Sequence, residues 1–110
     1  MNIKVGDLCK HFKGNSLLEK NIYEIIAVGV TYTGESANKP LDNLVVYKNL
    51  FQEGKLFTRE YDDLIGELPE EKQKQYGQKH RIEKLTEDEV KTVKSEQFIK
   101  EKLEYMESCR

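Results

Sequence analysis

The sequence predicts a mainly β fold, a small barrel of about five strands, followed by a C-terminal α-helical extension. Short β-branched and aromatic runs recur through the first 85 residues, polar turn formers separate them, and a helix-start signal comes after them. Five short strands suit a sheet that curls closed, because closure removes the unpaired edges of a flat sheet. We therefore divide the chain into a barrel domain, residues 1–85, and a helical extension, residues 86–110, which packs on the barrel or on a partner.

The strands are predicted where apolar, β-branched residues are bounded by turn formers. The third and fourth are joined by a loop that contains Gly54, so we expect them to form a hairpin. The polar segment 33–40 is expected to be a surface loop between the second and third strands. The five predicted strands are 7–12, 22–32, 44–47, 56–59 and 81–84.

The segment between the fourth and fifth strands contains few apolar residues. Residues 61–69 predict a single helical turn, since Gly66 and Pro69 both oppose its continuation. Residues 70–79, EEKQKQYGQK, predict a solvated connector.

A helix-start signal stands at the beginning of the C-terminal extension. Thr86 is placed to cap the helix, Glu89 to complete a capping box, and Leu85 to pack on Val90. On a straight helix with 3.6 residues per turn, Val90 and Val93 point away from the later apolar residues. Those later residues are Ile99, Leu103 and Met106. The sequence therefore predicts a break near Ser95, which is itself a suitable cap.

Composition and charge limit the classes of function. Hydrophobic residues make up 37% of the 110 residues, charged residues 35%, and the formal net charge is −2. Nucleic acid and membranes are not expected partners, because no net positive charge attracts the whole chain to them. Cys9 and Cys109 stand outside any C-x-x-C or Cys/His cluster, so neither a metal nor another cofactor is predicted. No signal peptide or membrane-spanning run is recognisable, which predicts a cytoplasmic protein.

Several motifs resemble a bacterial family known as domain of unknown function 1653. They comprise the run GDLCKHFKGN at 6–15, YEIIA at 23–27, LVVY at 44–47, LFTR at 56–59 and HRI at 80–82. The resemblance covers roughly residues 6–85 and implies an SH3-like small barrel, with no activity attached. Two departures stand out: FTRE at 57–60 replaces a Trp-x-Arg-Pro type element, and residues 15–21 look inserted.

Six residues are candidates for a ligand-binding rim. A histidine and a lysine flank a glycine turn, where they present a cationic corner to an anion. Two arginines on strands are suited to hold a carboxylate or an incoming anion. Three tyrosines, Tyr23, Tyr47 and Tyr61, are suited to form an aromatic wall. We interpret the set as the site of a non-enzymatic module that binds an anionic small molecule or peptide. The candidate residues are His11, Lys13, Tyr23, Tyr47, Arg59 and Arg81.

Other interpretations of the same residues remain open. His11 as a base, with Arg59 or Arg81 as an anion clamp, would make an enzyme of unrecognised class if a carboxylate or carbonyl orients the ring. Aromatic platforms beside cations would suit RNA or single-stranded DNA. Purely structural roles are the third alternative: the arginines pair with a carboxylate such as Glu24, and the tyrosines fill the core.

The C-terminal extension offers a surface for self-association. Its alternating Glu and Lys residues indicate a solvated helical face. If Ile99, Leu103 and Met106 are exposed in the monomer, they form an apolar stripe suited to a homodimer.

Overall fold

The computed structural model describes residues 2–34 and 41–110, and most of the predicted loop 33–40 lies outside them. All five predicted strands are confirmed within two residues at each end. The elements in chain order are β1 (Leu8–His11), β2 (Ile22–Val30), β3 (Leu44–Asn49), β4 (Leu56–Glu60), α1 (Tyr61–Leu64), α2 (Glu70–Tyr76), β5 (Ile82–Lys84), α3 (Glu87–Lys94) and α4 (Glu96–Ser108).

The strands form one antiparallel sheet in the order β4-β3-β2-β1-β5. The predicted hairpin of β3 and β4 is present, with Tyr47 opposite Phe57. The last strand returns to the first, where His11 lies opposite Ile82. Register shifts in β2 lie between Ile25 and Ala27 and between Val28 and Val30, and such bulges increase the bend of a strand.

The barrel expectation needs correction, because the sheet is open and the fold is a mixture of α and β structure. In the described part of the chain, β4 and β5 are the two edges and do not pair with each other. Helix α1 follows β4 directly, and its Leu64 is only 1% exposed. The chain then makes a single antiparallel bridge, Glu67 to His80, just before the three-residue β5. The edges are therefore separated by a helix and an irregular segment that bury the core without closing the sheet.

Each face of the sheet carries its own core. One face, which we call the α1-side core, is covered by α1 and the N-terminal segment; its buried members are Ile3, Cys9, Ile25, Val45, Tyr47, Leu64 and Ile82. The other face, the α4-side core, is covered by the C-terminal helices; its buried members are Ile22, Leu85, Val93 and Phe98. Alternate residues of each strand point to opposite faces, so one strand supplies both cores.

The helical predictions hold except in one segment. Thr86 and Glu89 form the complete capping box, and Ser95 both ends α3 and caps α4 through the backbone N–H of Phe98. The single turn at 61–69 is α1. The predicted connector at 70–79 is wrong, since it contains α2, a helix with no buried residue. Its Glu, Lys and Gln residues favour a helix but provide no apolar stripe. The spacing of apolar residues therefore did not predict it.

The C-terminal extension contacts the sheet by polar groups as well as by apolar packing. Lys10 of β1 pairs with Glu89 of α3 at 2.9 Å between Nζ and Oε2. Lys102 of α4 is only 1% exposed, and its Nζ donates to the backbone carbonyls of Leu18 and Lys20. None of the helices in the described residues combines the length and apolar character needed to cross a bilayer.

Candidate functional site

Strand alternation brings most of the predicted binding residues to the face of the α1-side core. His11 lies two residues after the buried Cys9 on β1, so the two side chains share this face. Tyr47 is a member of the α1-side core, and Phe57 and Tyr23 pack against it. Arg59 lies two residues after Phe57 on β4 and shares its face.

Four rings form a continuous series across β1 to β4, which we call the aromatic row: His11, Tyr23, Tyr47 and Phe57. The ring centroids of His11 and Tyr23 are 6.2 Å apart, and those of Tyr23 and Tyr47 are 4.9 Å apart, both edge-on. Tyr47 and Phe57 stack at 5.7 Å. Tyr23 and Phe57 lie only 6.1 Å apart although β3 separates their strands. The rings of Tyr23 and Phe57 therefore lean toward each other across β3.

His11 is the focus of a group of cations. Burial and neighbouring positive charges together lower the pKa of its imidazole from 6.5 to about 4, with burial the larger cause. The charges, in order of effect, are those of Arg81, Lys13, Arg59 and Lys20. All four of these charges, which belong to residues within the described ranges, are positive, and three of them belong to predicted site residues. The imidazole is therefore neutral near pH 7, within a positive local field.

Two of these cations are satisfied by other groups of the chain. Arg59 Nη1 donates to Asp63 Oδ2 at 2.6 Å, and this hydrogen bond raises the pKa of the guanidinium. Lys20 is 7% exposed, and its Nζ donates to the backbone carbonyl of Phe12 at 2.7 Å. A structural ion pair for Arg59 is thus present, but its partner is Asp63, while Glu24 pairs with Lys48.

The other two cations, Lys13 and Arg81, both lie near a buried ring. Lys13 Nζ lies 6.0 Å from the centroid of Phe12, and Arg81 Cζ lies 5.9 Å from it. Phe12 in turn packs edge-on against Tyr76 of α2 at 5.4 Å. Within residues 2–34 and 41–110, no carboxylate oxygen lies within ion-pair distance of either cation. Their positive charges are therefore available to a bound anion.

The hydrogen bond of His11 defines which ring nitrogen carries the proton. The backbone N–H of Lys13 donates to His11 Nδ1 at 3.4 Å, so the neutral ring carries its proton on Nε2. A general base would need an acceptor, such as a carboxylate or carbonyl, at the nitrogen opposite the reacting one. At Nδ1 the structure has a donor instead. With a pKa of about 4, the ring is also a weak proton acceptor at neutral pH.

Sequence reasoning missed three contributors. Phe57 continues the aromatic row, and its position two residues before Arg59 was a usable signal. Phe12 supports both uncompensated cations and adjoins His11, with ring centroids 4.6 Å apart. Lys20 lies in the segment interpreted as an insertion, and nothing in its sequence context indicated burial.

Of the six predicted site residues, Lys13 is exposed, Tyr47 is buried and the other four are partly exposed. Two grooves lie elsewhere, along α4, with volumes of about 490 and 580 Å³, and none of the six predicted residues lines them. Groups of three or more His, Cys, Asp or Glu residues suited to a metal are absent from the described residues. Tyr61, a further candidate for the aromatic wall, accepts the backbone N–H of Ile3 at 3.1 Å and supports the core instead.

No protein-family model, curated protein or solved structure matches the chain. The geometry and electrostatics of the site therefore carry the functional argument.

Proposed function

We propose that the chain is a non-enzymatic binding module that holds an anionic small molecule or peptide. The ligand contacts the surface made by His11, Lys13, Tyr23, Tyr47, Arg59 and Arg81. The observation that carries this proposal is that four positive charges surround the neutral His11, while Lys13 and Arg81 have no carboxylate partner in the described residues. An anion stabilises such a cluster by hydrogen bonds to charged donors.

We also propose that the chain is a divergent member of the domain of unknown function 1653 family. The four-strand meander with a fifth strand returning to the first supports an open, SH3-like form of the small barrel. The bulges in β2 and the close approach of Tyr23 to Phe57 support the curvature that such a form needs. A bacterial cytoplasmic location belongs to the same proposal, and the unpaired Cys9 and Cys109 support a reducing compartment.

Two alternatives receive less support from the site. The enzyme hypothesis needs an acceptor at His11 Nδ1, where a backbone N–H donates instead. Base stacking by RNA or single-stranded DNA needs exposed ring faces, and Lys55 Nζ lies 5.3 Å over the ring of Phe57. The cations also cluster at one position rather than following a strand-length groove.

The test is an NMR titration of the two histidine side chains with small anions at constant ionic strength. We expect saturable shifts of His11 and of the tyrosines in the aromatic row, while His80, which contacts Glu83 at 3.3 Å, stays unchanged. Arg81→Gln should weaken the binding at least about tenfold, the effect of losing a charged hydrogen bond. Lys91→Gln on α3 is the matched control, because Lys91 is exposed beside the α4-side core.

The titration also separates the alternatives. If the anions shift the NMR signals of neither histidine, or of both equally, the proposed binding site is wrong. An oligonucleotide that binds tightly at low salt, with an affinity that falls steeply as salt rises, would favour nucleic acid instead.

A further inference from the structure

We infer that the ligand presents a doubly charged oxyanion, a phosphoryl or sulfate group, held between Lys13 and Arg81. This inference rests on the proposed function and names its ligand class. Lys13 and Arg81 both lie near the Phe12 ring, with Nζ and Cζ at 6.0 and 5.9 Å from its centroid, and both act on the same imidazole of His11. His11 adds a neutral Nε2–H donor beside them.

The number of cations available at the site indicates whether the ligand carries one negative charge or two. Arg59 is neutralised by Asp63, with 2.6 Å between Nη1 and Oδ2. Lys20 is buried, and its Nζ is held by the backbone carbonyl of Phe12, so its ammonium group is not free to contact a ligand. The two cations of the described residues that are left to contact a ligand are Lys13 and Arg81. A carboxylate would balance one of them, whereas a dianion balances both.

The neutral state of His11 fits the same ligand class. An added anion favours the imidazolium form, because opposite charges stabilise each other across a short distance. The charged and titratable groups of the described residues that face His11 are the four cations, from the turn after β1, the segment before β2, β4 and the segment before β5, together with the Tyr23 ring. An oxyanion among them should therefore raise the pKa of His11 from about 4.

The experiment compares sulfate and inorganic phosphate with acetate, each titrated into the full chain at pH 7.5 and constant ionic strength. We expect sulfate and phosphate to bind at least about tenfold more tightly than acetate, since they make two charged contacts rather than one. Saturating sulfate should raise the pKa of His11 by about one unit or more, measured by NMR between pH 3.5 and 8. The ratio of phosphate to sulfate affinity shows which group the site prefers.

Variants locate the two contacts. Lys13→Gln and Arg81→Gln should each reduce the preference for sulfate over acetate to about twofold, and Lys91→Gln should leave it unchanged. If acetate binds as tightly as sulfate, the inference that the ligand is a dianion is wrong, while the proposed function still holds. If none of the three anions shifts His11, both the dianion and the proposed function fail.

A separate observation concerns the outer face of α4. Phe98 and Lys102 are buried against the rest of the molecule, while Leu103, on the opposite side of the helix, is 50% exposed. Ile99 and Met106 flank Leu103 and are half-buried. The charged residues on this outer face are Glu96, Lys100 and Glu107, and Arg110, just beyond the end of α4, contacts Glu107 at 3.7 Å.

We propose that this face binds the same face of a second copy, with the two α4 helices antiparallel and centred on Leu103. Glu96 and Arg110 lie at equal distances, seven residues, on either side of Leu103, so each meets the other across the pair. On one flank Lys100 meets the second copy's Glu107, and on the other Ile99 meets its Met106. A parallel pair would instead place like charges together.

The surroundings of α4 fit a second helix of this kind. Grooves of about 490 and 580 Å³ run beside the helix and share Phe51 as a lining residue. Ile99 lines the first groove, and Leu103 and Met106 line the second. The apolar stripe is short, so we expect a dimer that forms in the micromolar to millimolar range rather than an obligate one.

Sedimentation equilibrium under reducing conditions tests the dimer over a wide range of protein concentrations. We expect a monomer–dimer equilibrium that Leu103→Glu weakens at least about tenfold, with unchanged far-UV circular dichroism. Glu96→Lys should also weaken the dimer, and adding Arg110→Glu to it should restore the dimer. The Lys91→Gln protein should dimerise as the unmodified chain does. A strict monomer, or a double variant no better than Glu96→Lys, would overturn this pairing.

Discussion

Lys102, on the last helix, donates a hydrogen bond from Nζ to the backbone carbonyl of Lys20, in the segment that leads into β2. Lys20 in turn donates from its own Nζ to the carbonyl of Phe12 at 2.7 Å. The two buried lysines therefore connect α4 to the residues beside His11. The helical extension is in this way tied to the geometry of the proposed site.

We expect Lys102→Met to lower the free energy of unfolding by about 1–3 kcal/mol, because the carbonyls of Leu18 and Lys20 lose a buried donor. Burial lowers the pKa of Lys102 to about 8, which means that the buried charge has a cost, but the lysine is still mainly charged at pH 7 and its Nζ can donate to both carbonyls. Urea unfolding at pH 7 measures the change. Lys91→Met, at an exposed position on α3, is the control and should change stability by less than about 0.5 kcal/mol. Equal effects of the two substitutions would show that the Lys102 bonds contribute little.

The depressed pKa of His11 predicts a specific dependence of stability on pH. Its pKa is about 4 in the folded chain and near 6.5 when unfolded, so between these values the unfolded state binds more protons. Stability due to this residue should fall as the pH drops from 6.5 to 4 and then level off. Allowing for solvent screening of a half-buried ring, we expect a loss of about 1–2 kcal/mol relative to the His11→Gln protein.

Urea unfolding of both proteins at several pH values isolates this contribution, because the other titrating groups are common to them. A difference in stability that stays constant between pH 7 and 4 would contradict the buried, cation-surrounded position of His11.

The two thiols should differ sharply in reactivity. Cys9 is fully buried, and burial raises the pKa of its thiol to about 12, whereas Cys109 is exposed. Because the thiolate is the nucleophile, a thiol-reactive chromogenic disulfide should modify one cysteine in the native chain and two in denaturant. Cys109→Ser should abolish the native reaction. Rapid native modification of Cys9 would mean that the α1-side core opens readily.

Ser95 connects two helices with a single side chain. Its Oγ accepts the backbone N–H of Phe98 at 3.2 Å and donates to the carbonyl of Thr92 at 2.7 Å. We expect Ser95→Ala to destabilise the chain by about 1 kcal/mol, the usual cost of losing a helix cap. Ser108→Ala, at the exposed end of α4, should cost little. Thermal unfolding of both variants makes the comparison.

Local signals predicted the parts of the fold in which neighbouring residues contact one another. Thr86 and Glu89 cap the helix from three residues apart, and Ser95 acts on both adjoining helices, so their roles were readable from spacing alone. Helix α2 escaped prediction because a solvated helix has no apolar stripe to distinguish it from a connector. The prediction of a closed barrel was wrong because the number of strands does not indicate whether the two edge strands pair with each other.

The sequence by itself determined where the five strands lie, where the C-terminal helix begins and breaks, and which polar and aromatic residues were candidates for binding. Only the tertiary structure decided that His11, Tyr23, Tyr47 and Phe57 form one row, and that Arg59 is neutralised by Asp63 while Arg81 is not paired with any described carboxylate. The physical reason is that strand propensity and capping act over a few residues, whereas these contacts depend on register and on sheet curvature. Both of those are set by long-range packing, which the order of residues along the chain does not display.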